Sequence, residues 1–263
     1  MVRSNDTAES VTARALAVLD AFDQGHRHQS LASIARRANL PLTTAHRLIN
    51  HLVQSEALIR CSDGSYEIGS KLWRLGLLAS VHADLREVAL PYMEDIYQLG
   101  VDAVQIGVLD GLRCLIVERI SGSRSMEVLS RPGARLPLHA TGVGKVLLAY
   151  GGDELQAAAL AKLERFTVQT ITDAESLRQQ LQQIKQQAFA STKEEMALGA
   201  ISIAVPIRGY GGKVIAALGV VLATRNRDYS HLAPVLKVTA EALSRKLVAA
   251  GFTDAAGLRP DGK

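Results

Sequence analysis

Apolar positions recur at helical spacing over residues 8–24, where Val11, Ala15, Leu16, Val18, Leu19 and Phe22 form a stripe that Gly25 ends. Ser30 reads as the N-cap of LASIARRA, and after Asn39-Leu40-Pro41 a second helix follows in LTTAHRLINHLVQSE. The pattern then shortens to Leu58-Ile59-Arg60 and Tyr66-Glu67-Ile68 around Cys61-Ser62-Asp63-Gly64-Ser65. Asp-Gly between two short apolar runs predicts a hairpin.

Helical spacing returns in Leu72, Leu75, Leu78 and Val81, then in Leu85, Val88, Ala89 and Met93. It predicts a connecting helix near 71–82 and another near 85–99, with a domain boundary near 80–85. Beyond it the pattern alternates. Strands are expected at 102–109, 113–120, 125–130, 200–207 and 213–221, and helices at 142–150, 173–188 (capped by Thr172 or Asp173) and 230–250. Paired strands with outer helices make an α+β domain with an antiparallel sheet flanked by helices. The division is 1–70, 71–84 as a linker helix, 85–251, and a flexible tail over 252–263.

Composition narrows the class. The chain has 263 residues, 48% of them apolar, enough for two domains with their own cores. A net charge of +4 permits a nucleic-acid partner without requiring one. Cys61 and Cys114 form no Cys-x-x-Cys pair, so neither a disulfide framework nor a metal site is expected, and both read as small buried fillers. The polar start MVRSNDTAES lacks a signal peptide's apolar core, and no run approaches the ~18 apolar residues of a membrane span. A cytoplasmic protein without a membrane partner is expected.

Residues 31–52, LASIARRANLPLTTAHRLINHL, carry the requirements of a helix-turn-helix. Ala35 is small where the helices cross, and Asn39 tolerates the left-handed turn. Ile34, Ala38, Leu40, Ala45 and Leu48 are spaced to lock the pair. The second helix then presents Thr43, Thr44, His46, Arg47 and Asn50, side chains suited to base edges and phosphates. Arg36 and, on the expected wing at 58–68, Arg60 join them as candidate DNA contacts. The competing reading is a helical hairpin with a solvated polar face; residues 1–75 hold nine Lys and Arg against seven Asp and Glu.

The segment GARLPLHATGVGKVLLAY contains Gly142-Val143-Gly144-Lys145, a fragment of a phosphate-binding loop. The complete loop needs glycine at 139 and a hydroxyl at 146, where this chain has His139 and Val146. Nucleotide hydrolysis is therefore not expected. What remains is a helix start opened by Thr141, whose amides suit a carboxylate. Equally, Gly142 and Gly144 could serve only to let a helix pack closely on a sheet. Lys145 reads first as a surface lysine.

These motifs, with YEIGSKLWRLG at 66–76, LPLHATGVGKVLLA at 136–149, EEMALGAISIAVPI at 194–207 and the GGKVIAALGV that follows, resemble the isocitrate-lyase-regulator (IclR) family of bacterial transcription regulators over about residues 10–250. The resemblance implies an N-terminal winged helix-turn-helix, a linker helix and a C-terminal GAF-like effector-binding domain. It also implies homodimers through the N-terminal domain, often dimers of dimers, on a near-palindromic double-stranded operator. The family takes small organic acids as effectors, needs no cofactor, and controls catabolic operons as repressor or activator.

By the same resemblance, the amides of Gly142 and Val143, beside Gly144, hold the effector carboxylate, and Val128 and Leu136 are apolar walls. Polar contacts fall at Thr192, Ser202 and Gly219, where the family's small-acid binders have an acidic residue, a cysteine and a serine; Ala200 stands for a leucine. Each change removes charge or leaves room, so a larger acid, aromatic or alicyclic, is expected. Glu194 and Glu195 could contact effector hydroxyls, with at least one of them solvated. An enzyme is the weaker alternative. His139 near Thr141 or Ser202 imitates a base and nucleophile, but no Gly-x-Ser-x-Gly elbow exists. A sensor of a partner protein, with the helix-turn-helix as scaffold, is the third reading.

Overall fold

The structure is a computed structural model that describes residues 10–23, 25–76, 78, 82–122, 130–224 and 231–252. The chain separates into two compact units, Met1–Ser80 and Val81–Lys263.

The first unit holds α1 (Val11–Asp20), α2 (Leu31–Arg37), α3 (Leu42–Gln54), β1 (Leu58–Arg60), β2 (Tyr66–Ile68) and α4 (Ser70–Gly76). Ser10 starts α1 by accepting from the Ala13 amide. The helix ends four residues before the expected Gln24, because the Ala21 carbonyl accepts instead from Gln29 Nε2 at 2.6 Å and Arg37 Nε at 2.7 Å. Asn39 takes φ +53°, the left-handed turn the sequence predicts between α2 and α3. Val18, Ile34, Ala45, Ile49, Leu58 and Tyr66 form the core. Reciprocal backbone bonds between Gln29 and Tyr66, at 3.0 and 2.8 Å, tie the approach to α2 onto the β1–β2 hairpin. The connecting helix is described only as Ser70–Gly76; residues 77 and 79–81 of the expected span lie outside the described residues.

The second unit holds α5 (Ala83–Tyr97), β3 (Ala103–Asp110), β4 (Arg113–Ser121), β5 (Arg135–Pro137), α6 (Gly142–Tyr150), α7 (Asp153–Leu160), α8 (Ala174–Gln187), β6 (Ala190–Lys193), β7 (Ala200–Arg208), β8 (Val214–Ala223) and α9 (Leu232–Ala249). The sheet is antiparallel, in the order β5-β4-β3-β8-β7-β6. The strand expected at 125–130 lies outside the described residues except Ser130, which is not in a strand. Sequence reading missed α7, β5 and β6, and the expected turn at 208–212 contains a short 3-10 helix, Tyr210–Gly212.

Side chains of a strand alternate between its faces, and the two faces here differ in size. Val104, Ile106, Val205, Leu218 and Val220 pack with α5 and α9. The opposite face carries small or polar residues, among them Gln105, Gly107, Ser202, Ala204 and Gly219, and receives α6, whose residues Gly142–Ala149 are all buried. That asymmetry brings a helix start close to the sheet.

Candidate functional site

In the first unit, Ala45, Leu48 and Ile49 turn α3 into the core. The other face is set by the remaining positions. Thr43, His46, Arg47 and Asn50, at helical i, i+3, i+4 and i+7 spacing, are all exposed, and Thr44 is half-buried beside them. His46 and Asn50 are within 3.4 Å of each other through Nε2 and Nδ2. Arg36 is exposed in the last turn of α2 and Arg60 is exposed on β1. Arg37 differs from both. It holds the Ala21 carbonyl and pairs with Asp23, so its guanidinium is engaged in the fold. Among the described residues, His28, Cys61 and Glu67 bring donor atoms within 4.8 Å of one another, a grouping that the spacing of the cysteines did not suggest.

In the second unit, a cleft of about 460 Å³ lies on the α6 side of the sheet. Leu136, Thr192, Ala200 and Ser202, four of the residues singled out from sequence, line it. Gln105, Ser130, Thr141, Glu195 and Val221 line it too, and sequence reading had not placed Gln105, Ser130 or Val221 there. Gln105 had a signal, as a lone amide inside the apolar run AVQIGV.

The start of α6 is arranged around hydroxyls. Thr141 caps it, accepting from the Gly144 amide at 3.2 Å and donating to the Pro137 carbonyl at 2.9 Å. Ser202 Oγ accepts from the Gly142 amide at 3.0 Å and lies 2.8 Å from Thr192 Oγ1. The Gly142 amide, implied to hold a carboxylate, is thus occupied by a side chain of this chain. The Val143 side chain is fully buried in the core that α6 and α8 form with the sheet.

Gly144 and Gly219 serve close packing. A Cβ on Gly144 would sit 2.7 Å from the Leu138 backbone, and one on Gly219 would sit 2.8 Å from Val143 Cγ1. Glu194 is half-buried at φ +58°, where its carboxylate accepts from the Gly199 amide at 2.8 Å. Val128 lies outside the described residues.

One expectation is corrected. Lys145 is not on the surface: its side chain is 0% exposed, and Nζ lies 2.5 Å from Glu195 Oε1 and 2.6 Å from Gln180 Oε1. Burial pulls this ammonium below its ordinary range, against the opposing pull of Glu195. Of the 194–195 pair, Glu195 is buried against Lys145, and Glu194 is half-buried.

Buried polar atoms normally find partners. Among the described residues, Gln105 Oε1, Ser130 Oγ and Glu195 Oε2, from residues that line this cleft, find none. Arg119 stands opposite Gln105 in the β3–β4 register, which puts both side chains on one face of the sheet. Its Nε and Nη2 are buried without partners among the described residues as well. Burial and the nearby Arg131 both disfavour its charged form. His139 makes no nucleophile-activating pair. Its Nε2 is 2.8 Å from the Glu164 carbonyl and its ring stacks at a tilt on Phe166.

Comparison with known proteins places both units in one context. The family model described as "Bacterial transcriptional regulator IclR C-terminal" matches residues 78–245, and "IclR helix-turn-helix domain" matches residues 11–58. The chain is 32% identical over 241 residues to the HTH-type transcriptional regulator XynR of Escherichia coli (strain K12), covering 89% of this chain and 95% of that protein. It is 31% identical over 243 residues to the Pca regulon regulatory protein of Pseudomonas putida, covering 89% and 83%. A crystal structure of an IclR homolog complexed with 4-hydroxybenzoate, from Microbacterium hydrocarbonoxydans, superposes with a TM-score of 0.80 at 36% identity, over 91% of this chain and all of that one.

Proposed function

Because the chain belongs to the IclR family of bacterial transcriptional regulators, we propose that it is an effector-responsive regulator of a catabolic operon whose ligand is a small organic acid, aromatic in character. It is a DNA-binding regulator rather than an enzyme, as its relatives are. The observation that carries the effector reading is the cleft at the start of α6, lined by Gln105, Thr141, Thr192 and Ser202 among apolar walls. The apolar share of the walls, from Leu136, Ala200 and Val221, suits a ring. The structural neighbour complexed with 4-hydroxybenzoate supports the same class.

The DNA contacts assigned to this chain are Thr43, Thr44, His46, Arg47 and Asn50 of α3, with Arg36 and Arg60 against the backbone. Dimers form through the N-terminal unit, where Val11, Leu16, Trp73 and Leu75 leave large apolar side chains exposed. Two such units on a near-palindromic site would read its two halves. The protein works in the cytoplasm; among the described residues, no helix is long and apolar enough to cross a membrane. Effector shifts the balance between two quaternary arrangements that differ in the spacing of the winged helices. The division at 1–70, 71–84 and 85–251 assigns the linker helix the task of transmitting that shift.

Capture of genomic fragments on the purified chain at near-physiological salt tests this reading, since non-specific binding weakens steeply there. One or a few near-palindromic sites should dominate, and Arg47→Ala should lose them while keeping its effector affinity. Uniform recovery of fragments, or recovery unaltered by Arg47→Ala, would reject it.

A further inference from the structure

Three extended segments meet at the β1–β2 hairpin of the first unit, far in sequence from one another. Ile59 stands opposite Glu67, and the Cys61 amide donates to the Ser65 carbonyl at 2.8 Å, so Cys61 and Glu67 are diagonal neighbours on one face of the hairpin. On the other side of β2, Gln29 bridges antiparallel to Tyr66, which sets His28 beside Glu67. Gln29 and Tyr66 turn into the core, and side chains alternate along extended chain, so His28 and Glu67 fall on the solvent side. The backbone thus gathers an imidazole, a thiol and a carboxylate on one accessible face.

His28 Nδ1 lies 3.6 Å from Glu67 Oε2 and 3.8 Å from Cys61 Sγ, and all three donor atoms are within 4.8 Å of one another. The nitrogen–oxygen separation is too long for a hydrogen bond. It is close to the edge of a coordination tetrahedron, since bonds of about 2.0–2.3 Å to zinc at tetrahedral angles put neighbouring donors roughly 3.3–3.6 Å apart. We propose that His28 Nδ1, Cys61 Sγ and the Glu67 carboxylate bind one divalent transition-metal ion of the zinc type. Imidazole with thiolate selects such an ion over magnesium or calcium, which take oxygen donors. On binding, Cys61 gives up its thiol proton to solvent and the sulfur takes the metal in its place. Water fills the fourth position on the exposed side. The ion clamps the segment entering α2 to both strands of the hairpin, next to Arg60, and so adds a second tie to the backbone bonds between Gln29 and Tyr66.

Titration of the tag-free, chelator-treated full chain with cobalt(II), a coloured stand-in for zinc, tests this. One equivalent should bind with a sulfur-to-cobalt charge-transfer absorption that zinc removes and magnesium does not. Cys61→Ser should lose the absorption, and His28→Ala and Glu67→Gln should each bind about tenfold or more weakly, because loss of a ligand costs at least what loss of its outer partners does. No such absorption, the same absorption in Cys61→Ser, or unchanged affinity in either of the other variants would overturn the site. Alkylation of Cys61 in the wild-type chain gives a reading that needs no variant to fold. Zinc should slow it about tenfold or more relative to the chelator-treated protein, since the metal-bound sulfur is no longer a free thiolate. A rate that zinc leaves unchanged would also overturn the proposal.

Discussion

Lys145 Nζ lies 2.5 Å from Glu195 Oε1, across 50 residues of sequence, and both side chains are withdrawn from solvent. The pair joins α6 to the loop ahead of β7. Removing one partner of a buried pair leaves an uncompensated charge and costs about 3–5 kcal/mol, while an apolar replacement of both can be neutral. Lys145→Met should therefore lower the unfolding free energy by about that amount, and Lys145→Met with Glu195→Leu should recover most of it. Denaturant unfolding of the four species completes the cycle; additive losses would show that the two residues do not act as a pair.

The two packing glycines make a graded prediction. At Gly144 the new Cβ meets the Leu138 backbone, which cannot yield locally. Overpacking of this kind costs about 1–3 kcal/mol, so Gly144→Ala should lie in that range. At Gly219 the nearest atom is a Val143 methyl 2.8 Å away, and the nearest backbone atom, the Ile203 carbonyl oxygen, is farther off at 3.3 Å. Gly219→Ala should cost less, and thermal melting of both variants reads the order.

Much of this region is legible in the sequence, and the reasons are local. Thr141 followed by Gly142 and Gly144 announces a capped helix start, and α6 begins at Gly142. The exposed row of α3 follows from which positions are apolar. Asn39 reveals its turn because few residues tolerate that backbone. What escapes the sequence depends on distant partners. Nothing near Lys145 tells that its position faces inward, since Glu195 and Gln180 are brought to it only by the fold. Glycines 142 and 144 fit either an anion or a sheet, and the structure engages the Gly142 amide with Ser202. β6, the polar segment ASTK, becomes a strand only because β7 offers an edge. Arg119 sits in an ordinary apolar strand until the register sets it opposite Gln105.

The cysteines should react unequally. Burial pushes the Cys114 thiol up to about 12, so almost no thiolate forms at neutral pH, and the core between α6 and the sheet excludes reagents. Cys61 is partly exposed at the end of β1. Native protein treated with a thiol reagent at pH 7.5 should label one cysteine, Cys61, and denatured protein two; mass spectrometry of the peptides checks it. Early labelling of Cys114 would contradict the packing.

Acid should weaken the first unit through Asp23. Burial raises the pKa of this carboxyl, but the His26 hydrogen bond and the Arg37 charge outweigh it and hold the group below its ordinary value of 3.8. A group lowered in the folded state gives its full stability above the ordinary value and loses it as pH falls through the folded one. Wild-type melting temperature should drop through that window, below about pH 4, and Asp23→Asn should drop less. Parallel curves for the two would show that Asp23 is not coupled to folding.

Occupancy of the cleft should change DNA affinity. Fluorescence anisotropy of the captured operator, at fixed near-physiological salt, with and without saturating 4-hydroxybenzoate, measures it most directly. Coupling between two sites of one regulator amounts to about 1–3 kcal/mol, so the operator Kd should move by roughly 5–150-fold, in either direction. An operator Kd unchanged while calorimetry shows the cleft filled would contradict the account.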